Sequence, residues 1–435
     1  MTIDSGKRGS EGAGTEPRNT PESAKPALAG LVLAGDQQKD AEAVTGFIFM
    51  AKDISNAYLV TTADGDVMVN TGFMDHAERT KGLLAPKRTG PLRYIVLTQA
   101  HADHYGGVPA MKEPGTQVIA ERRFVDTWRY FHDLGPYLGR RSAKLWRSTI
   151  KRAANAPSPP EVVPDIPVDR RYAFELGGRR FEVISTPGGE SLDSVTVWMP
   201  NERIAFTGNL FGPVFLAIPN LVTVRGDKPR LVQRYLSSLD TVRRLEPEIL
   251  ITGHGEPIRG AQTIRAALDK MHAAVSFLNQ AVIAGMNAGK DVYTLMSEIK
   301  LPEDLALGEF HGKVSWAVRS IWEEYSGWFH YDSTTSLYAV PRSSIDADLA
   351  ALAGGAGALA ARARKRLSEG RPLEALHLLD IALGAEHGNA AALAVKNDAL
   401  QALLRESGGV NLSETMWLKS EIAAVEAALA PAQTG

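Results

Sequence analysis

The stretch that decides the fold reads Tyr94-Ile-Val-Leu-Thr-Gln-Ala-His-Ala-Asp-His-Tyr-Gly-Gly107. Its first five residues are aromatic, aliphatic or β-branched and predict a buried strand. His101, Asp103 and His104 follow within one tight turn, and the closing glycine pair lets the backbone turn closely beneath them. A first-row divalent metal ion requires neutral nitrogen and anionic oxygen donors held in this way. We therefore expect a metal site at the end of this strand.

Short apolar runs separated by turn residues lie on both sides of this stretch. Strands are predicted at 46–51, 56–61, 66–70, 94–98, 116–120, 180–185, 194–199, 203–207 and 248–251, and helices at about 228–245 and 262–284. In the second helix, apolar residues recur at i, i+4 and i+7, which indicates one face packed on a core. Strands that alternate with helices predict a layered α/β domain.

Three later motifs each follow a predicted strand: Thr186-Pro-Gly-Gly-Glu190, Phe206-Thr-Gly-Asn209 and Thr252-Gly-His-Gly255. This order of motifs resembles the metallo-β-lactamase superfamily, whose metal motif is His-x-His-x-Asp-His followed by three single ligands. The resemblance spans about 46–259 and implies an αββα sandwich of the α/β class. The metal ligands that it implies are Gln99, His101, Asp103, His104, Glu190 and His254.

Within the superfamily, the chain resembles the alkylsulfatase group, which usually carries Glu at the position of Glu190. The segment Asn220-Leu-Val-Thr-Val-Arg-Gly226 resembles the segment whose Asn and Arg bind sulfate in that group. The resemblance therefore implies that Asn220 and Arg225 are catalytic, together with Asn209 at the position between the metals. An amide donor and a guanidinium suit a tetrahedral oxyanion. The expected activity is hydrolysis of a sulfate ester of an apolar alcohol, a small amphiphilic or anionic substrate.

Three amides depart from the family pattern. Gln99 replaces the first His, Asn209 replaces the bridging acidic residue, and Asn70 stands where the family usually has Asp. An amide oxygen is a weaker donor than imidazole, and it brings no negative charge between two cations. We expect one or two zinc ions, with Asp103, His104 and His254 as the better site. A first site on Gln99, His101 and Glu190 would suit a weaker-binding ion such as manganese or iron.

The C-terminal third differs in character. Segments 310–319 and 324–329 resemble the start of the alkylsulfatase dimerisation domain, and the Ala/Leu-rich segment 348–430 is predicted to be helical. Residues 370–404 resemble one repeat of a TPR-like helix array, which cannot bury its own face alone. We therefore expect an all-α dimerisation domain and a homodimer formed through its helices. The predicted division is a disordered leader at 1–27, a catalytic domain at 28–287 and the helical domain at 288–435.

Composition narrows the chemistry further. The 435 residues include no cysteine, which excludes disulfides and thiolate ligands, and the net charge of −2 requires neither a nucleic acid nor an anionic membrane as partner. The leader has no apolar segment typical of a secretory signal. No stretch reaches the roughly 18 to 20 apolar residues that span a bilayer, so a cytoplasmic location is expected.

Several alternatives remain open from the residues. A carboxylic ester, lactone or amide hydrolase of the same fold is one, and a catalytically altered or non-catalytic relative is another, because of Gln99 and Asn209. Basic and aromatic residues interleave between Arg122 and Arg152. They fit a substrate channel, a nucleic-acid surface, or two helices with a solvated basic face. The apolar run 210–219 fits either a pocket wall or a buried loop.

Overall fold

The computed structural model describes residues 27–146, 158–221, 223–228 and 230–430. The predicted disordered leader lies outside these ranges except for its last residue, where the first helix begins. The C-terminal end of the basic and aromatic segment, at 147–152, lies outside them as well.

The first sheet contains seven strands in the order of the chain: β1 (Glu42–Ala43), β2 (Ile48–Ala51), β3 (Ala57–Thr62), β4 (Gly65–Val69), β5 (Leu92–Val96), β6 (Gln117–Glu121) and β7 (Ile166–Val168). The first four strands are antiparallel and joined by short turns. From β4 onward the pairing is parallel, because helical crossovers connect those strands. The carboxyl ends of β4, β5 and β6 therefore lie at the same edge.

The second sheet has six strands: β8 (Arg171–Leu176), β9 (Arg179–Ser185), β10 (Val195–Met199), β11 (Ile204–Gly208), β12 (Ile249–Thr252) and β13 (Ile258–Arg259). Their order across the sheet is β13-β12-β11-β10-β9-β8, and only β11 and β12 pair in parallel. Apolar side chains from both sheets, such as Val60, Val96, Phe181 and Phe206, share one buried core. The two sheets therefore form a sandwich.

The α-helices that accompany the two sheets are α1 (Ala27–Val32), α2 (Ala77–Leu84), α3 (Ala102–Tyr105), α4 (Val108–Met111), α5 (Phe124–Asp133), α6 (Gly135–Trp146), α7 (Val232–Leu245) and α8 (Ala261–Asn287). Helices α2 to α5 pack on the first sheet through residues such as Leu83, Tyr105 and Phe124. Helices α7 and α8 pack on the second. The predicted αββα sandwich is confirmed, and the apolar stripe of α8 is core.

Among the described residues, seven further α-helices follow: α9 (Val292–Glu298), α10 (Val314–Ser326), α11 (Asp346–Leu352), α12 (Ala356–Ser368), α13 (Pro372–Ala385), α14 (Ala390–Glu406) and α15 (Leu412–Leu429). The predicted helical C-terminal domain is confirmed. Helices α11 to α14 share an Ala/Leu core, and α14 also packs on α15. The predicted single repeat, which corresponds to α13 and α14, thus buries its faces against α12 and α15.

Apolar packing joins the two parts of the chain in two places, and polar contacts such as the ion pair Lys144–Glu421 link them as well. Val292, Leu295, Ile321 and Trp322 of α9 and α10 belong to the same buried core as α7 and α8. At the other place, Leu412 at the start of α15 packs with α1 and loop residues of the sandwich. The division predicted between residues 287 and 288 stays a prediction. In the part of the chain that the structure describes, no helix is long and apolar enough to cross a membrane.

Candidate active site

Loops at one edge of the sandwich bring the predicted site residues together. His101 lies directly before α3, in the turn after β5, and Glu190 lies between β9 and β10. Asn209 follows β11 and His254 follows β12. Gly253 is required for this approach, since a Cβ there would lie 2.0 Å from Asn209 Oδ1. The parallel pairing of β11 and β12 is what places these last two side chains side by side.

Asp103, His104 and His254 form one cluster, here called the Asp–His–His triad. One ligand atom from each residue lies within 4.8 Å of the others. Asp103 Oδ2 is 3.7 Å from His104 Nε2 and 4.0 Å from His254 Nε2. His104 Nε2 is buried, and no described group forms a hydrogen bond with it. Two imidazoles and a carboxylate gathered in this way fit a divalent metal ion with a coordination position left for water.

Three polar groups surround the other ring nitrogen of His104. Ser55 Oγ, Thr98 Oγ1 and Asn70 Nδ2 lie 3.2, 3.1 and 3.0 Å from His104 Nδ1. The hydroxyls of Ser55 and Thr98 donate to other oxygens, so each can accept a hydrogen from Nδ1. Burial lowers the pKa of His104 to about 4. The ring is therefore neutral at pH 7, the state in which imidazole binds metals.

Gln99, His101, Glu190 and Asn209 form a second cluster, here called the amide cluster. Glu190 Oε2 accepts hydrogen bonds from Gln99 Nε2 at 3.1 Å and from Asn209 Nδ2 at 2.6 Å. It also lies 3.4 Å from His101 Nδ1, which is itself 2.6 Å from Gln99 Nε2. All four side chains are at least nine-tenths buried. Both amides therefore turn their nitrogens towards the carboxylate.

Charged residues that sequence reasoning missed lie beside the amide cluster. Arg230 Nη1 is 3.7 Å from Glu190 Oε1, and Arg230 Nη2 is 3.5 Å from Asp227 Oδ2. Arg225 Nη2 donates to Asp227 Oδ2 at 3.0 Å. Burial would raise the pKa of Glu190, but Arg230 and then His101 outweigh it and hold that pKa well below the ordinary value. The charge-rich run 225–230 was the available signal in the sequence.

Electrostatics also distinguish His101 from His104. Burial opposes the charged form of His101, yet the carboxylates of Glu190 and Asp227 outweigh burial and raise its pKa. Asp227 Oδ2 is 3.9 Å from His101 Nε2. The two imidazoles of the sequence motif therefore lie in opposite environments, with His101 beside two carboxylates and His104 in the Asp–His–His triad.

Asn220 contacts a residue that the sequence did not single out for chemistry. Its Nδ2 lies 3.0 Å from Nε2 of His311, which precedes α10, and both side chains are buried. Burial lowers the pKa of His311 to about 3. The sequence motif around His311 indicated only the start of the second domain, because nothing in a linear sequence places that histidine beside Asn220.

A cavity of about 690 Å³ opens onto both clusters. Its polar floor includes His101, Asp103, Glu190, Asn209, Asn220, Arg225, His254 and His311. Its walls are mainly apolar and include Leu28, Ile54, Phe73, Trp128, Phe131 and Trp146. Ser413, from the start of α15, lines it too. The volume and the mixed lining are typical of a small-molecule site.

The described part of the basic and aromatic segment forms α5 and α6. Trp128, Phe131 and Leu138 line the cavity, whereas Tyr137 and the arginines Arg129, Arg140 and Arg141 are exposed. In the apolar run 210–219, Pro213 lines the cavity, while Leu210, Phe211 and Ile218 belong to the core. Most of that run is thus a buried loop rather than a pocket wall.

Comparison with known proteins gives two family matches. The metallo-beta-lactamase superfamily matches residues 51–254, and alkyl sulfatase dimerisation matches residues 292–418. A linear primary-alkylsulfatase from Pseudomonas sp. (strain ATCC 19151) is 25% identical over 381 residues, which are 81% of this chain and 71% of that protein. An alkyl/aryl-sulfatase from Saccharomyces cerevisiae is 24% identical over 81% of this chain. This chain spans only 58% of the yeast protein's length.

The fold has a solved counterpart. The structure of the stereoselective inverting sec-alkylsulfatase Pisa1 from Pseudomonas sp. superposes with a TM-score of 0.78 at 20% identity. The match covers 90% of this chain and 66% of that one. Both the sandwich and the C-terminal helices therefore share one arrangement with that protein.

Proposed function

We propose that this chain, which belongs to the metallo-beta-lactamase superfamily and carries an alkyl sulfatase dimerisation domain, hydrolyses sulfate esters of apolar alcohols. The observation that carries the proposal is the cavity, where Asp103 and His254 of the Asp–His–His triad, the Arg225 guanidinium and an apolar wall meet. The alkylsulfatase relatives favour this reaction over hydrolysis of a neutral ester.

The metal-binding part of the proposal rests on the Asp–His–His triad. Asp103, His104 and His254 would hold the ion, and zinc is the proposed ion because two imidazoles and one carboxylate with an open position are typical of catalytic zinc sites. A bound divalent ion would activate water or polarise an ester oxygen. Ser55 and Thr98 would accept the hydrogen of His104 Nδ1 and so hold the ring in the ligating tautomer.

The remaining residues bind and orient the substrate. Arg225 lines the cavity and offers a guanidinium to the sulfate, held in place by its ion pair with Asp227. The amide nitrogen of Asn220, which faces His311, is a second donor at the same floor. The apolar walls take up the hydrocarbon part of the alcohol and exclude water around the ester.

The substrate test compares charged and neutral esters. Arg225→Ala should lower kcat/KM for an alkyl sulfate by roughly ten- to over a hundred-fold, because a charge-assisted contact contributes about 1.5 to 3 kcal/mol. Hydrolysis of a neutral ester of the same alcohol should not change. Arg225→Lys should recover part of the loss, because it keeps the charge without the fork.

The control is Arg129→Ala, which removes an equal charge from an exposed position on α5. It should leave both activities near the wild-type values. Equal losses with both esters in Arg225→Ala, or no loss, would contradict the sulfate assignment.

The dimerisation domain suggests a homodimer, and we propose that the segment between α10 and α11 contributes to its interface. Trp328, Tyr331 and Tyr338 in this segment are 75%, 88% and 69% exposed. Light scattering should show monomers for Tyr331→Ser combined with Tyr338→Ser, and dimers for the exposed control Tyr293→Ser on α9. A dimeric double variant would contradict this interface. The cytoplasmic location stays a prediction.

A further inference from the structure

We propose that the active site holds a single metal ion, on the Asp–His–His triad, and that the hydrogen bonds of the amide cluster take the place of a second ion. The inference rests on the proposed metal-dependent hydrolase. It goes further in assigning Gln99 and Asn209 the role of hydrogen-bond donors rather than metal ligands.

The orientation of the two amides makes Gln99 and Asn209 hydrogen-bond donors to Glu190. An ionised carboxylate can only accept hydrogen bonds, so the groups that face Glu190 Oε2 at 3.1 and 2.6 Å must be the NH2 groups of Gln99 and Asn209. Turning either amide over would bring two oxygens together at that distance without a hydrogen between them. The carboxylate therefore decides which end of each amide is the nitrogen, a choice that the similar shapes of the two ends leave open.

The amide oxygens form no hydrogen bond among the described residues that would favour the opposite orientation. Gln99 Oε1 and Asn209 Oδ1 are buried, and neither has a hydrogen-bond partner among the described residues. Because both amides leave their oxygens unpaired, their bonds to Glu190 determine how they turn. The atoms that face the centre of the cluster are thus N–H donors, which cannot bind a cation.

The charges around the two clusters also favour a single ion on the triad. Beside the amide cluster, Arg230 compensates Glu190, while Arg225 and Arg230 both compensate Asp227. Two carboxylates there already face two guanidiniums. The only ion-pair partners of Asp103 within 4.0 Å in the described ranges are the imidazoles of His104 and His254. Opposite charges about 4 Å apart attract each other much more strongly near or inside a protein than in water. The Asp103 carboxylate of the triad therefore attracts a dication. In the amide cluster, the charge of Glu190 is already compensated, so the attraction there is weaker.

Asn209 links the two clusters without blocking the triad. Its Nδ2 lies 2.6 Å from Glu190 Oε2 and 3.1 Å from His254 Nε2. One hydrogen of the NH2 group can stay on Glu190 while an ion occupies the lone pair of His254. An aspartate at this position would instead place a second anionic oxygen between the clusters, where it could bridge two ions.

Zinc titration of the metal-free full chain against a chromophoric chelator tests the inference. Wild type should bind one equivalent, and Gln99→His combined with Asn209→Asp should bind two. The control, Gln262→His combined with Asn287→Asp, adds the same residue types at exposed positions at opposite ends of α8 and should bind one.

Two equivalents in wild type would overturn the inference, and so would a folded double variant that still binds one. If the double variant does not fold, the wild-type stoichiometry alone decides. A wild type that binds one zinc but leaves alkyl sulfates intact would contradict the proposed function and support the single-ion inference. A wild type that binds no zinc would contradict both.

Discussion

The Asp–His–His triad and the amide cluster lie at the same edge of the sandwich, yet their polar atoms are arranged in opposite ways. In the triad, Asp103, His104 and His254 direct a carboxylate oxygen and ring nitrogens towards one another. In the amide cluster, N–H groups fill the corresponding space around Glu190. Acceptors that face one another favour a cation, whereas an acceptor surrounded by donors is satisfied without one. The order of motifs along the chain is therefore present, but the residues of the amide cluster are arranged as hydrogen-bond donors and acceptor rather than as metal ligands.

Substitution of a metal ligand should produce the largest difference in zinc binding between the two clusters. His254→Ala should abolish stoichiometric zinc binding, with an effect larger than the roughly 10- to 100-fold that loss of a ligand's hydrogen-bond partner costs. His101→Ala, in the amide cluster, should still bind one equivalent. Equilibrium dialysis followed by metal analysis measures both. Similar zinc losses in the two variants would mean that the clusters form one shared metal site.

Removing the charge of Glu190 should affect stability rather than zinc binding. Glu190→Gln should lower the free energy of unfolding of the metal-free protein at pH 7 by about 1 to 3 kcal/mol, since it weakens a buried charged acceptor. The folded-state pKa of Glu190 lies below its unfolded value of about 4.3, so this stability is fully present above that value. It is lost as pH falls through the folded pKa.

Urea unfolding at pH 7 and pH 3.5 measures that difference. The gap between wild type and Glu190→Gln should be smaller at the lower pH. Glu175→Gln, at a largely exposed position on β8, serves as the control and should show little change at either pH. A fall in zinc stoichiometry in Glu190→Gln would instead identify Glu190 as a ligand.

The smallest expected effect concerns Asn70, which places an N–H group 3.0 Å from His104 Nδ1. Thr98 N donates to Asn70 Oδ1, which fixes the amide in this orientation. A metal on His104 Nε2 needs a hydrogen on Nδ1, and the Asn70 amide opposes that hydrogen. Asn70→Asp should therefore tighten zinc binding by about tenfold, the low end of the range for such partners. Competition titration measures the change, and unchanged or weaker binding would show that Ser55 and Thr98 alone set the tautomer.

Local patterns in the sequence predicted most of the strands. The nine predicted strands correspond to β2 to β6 and β9 to β12, because short apolar runs bounded by turn residues specify buried strands. Strand β8 was missed, since its alternating exposed and partly buried residues resemble a polar surface segment. The packing of α9 and α10 on α8 was missed too, because it depends on which helices meet in space.

Prediction of the site from the sequence reached the same limit, at the level of single atoms. The sequence motifs predicted which loops would meet, and the structure brings those residues to one cavity. The motifs could not predict which end of each amide faces Glu190, because that depends on a carboxylate about 90 residues from Gln99. Asp227, Arg230 and His311 were missed for a related reason. Their roles follow from burial and ion pairing, which only the folded chain reveals.

The most direct test is the position of zinc in a crystal of the wild-type protein, located by anomalous diffraction at the zinc absorption edge. One strong peak is expected, within about 2.0 to 2.2 Å of ligand atoms of Asp103, His104 and His254. The nitrogens of Gln99 and Asn209 should remain within hydrogen-bond distance of Glu190. A second peak of comparable height between His101 and Glu190 would contradict the single-ion assignment.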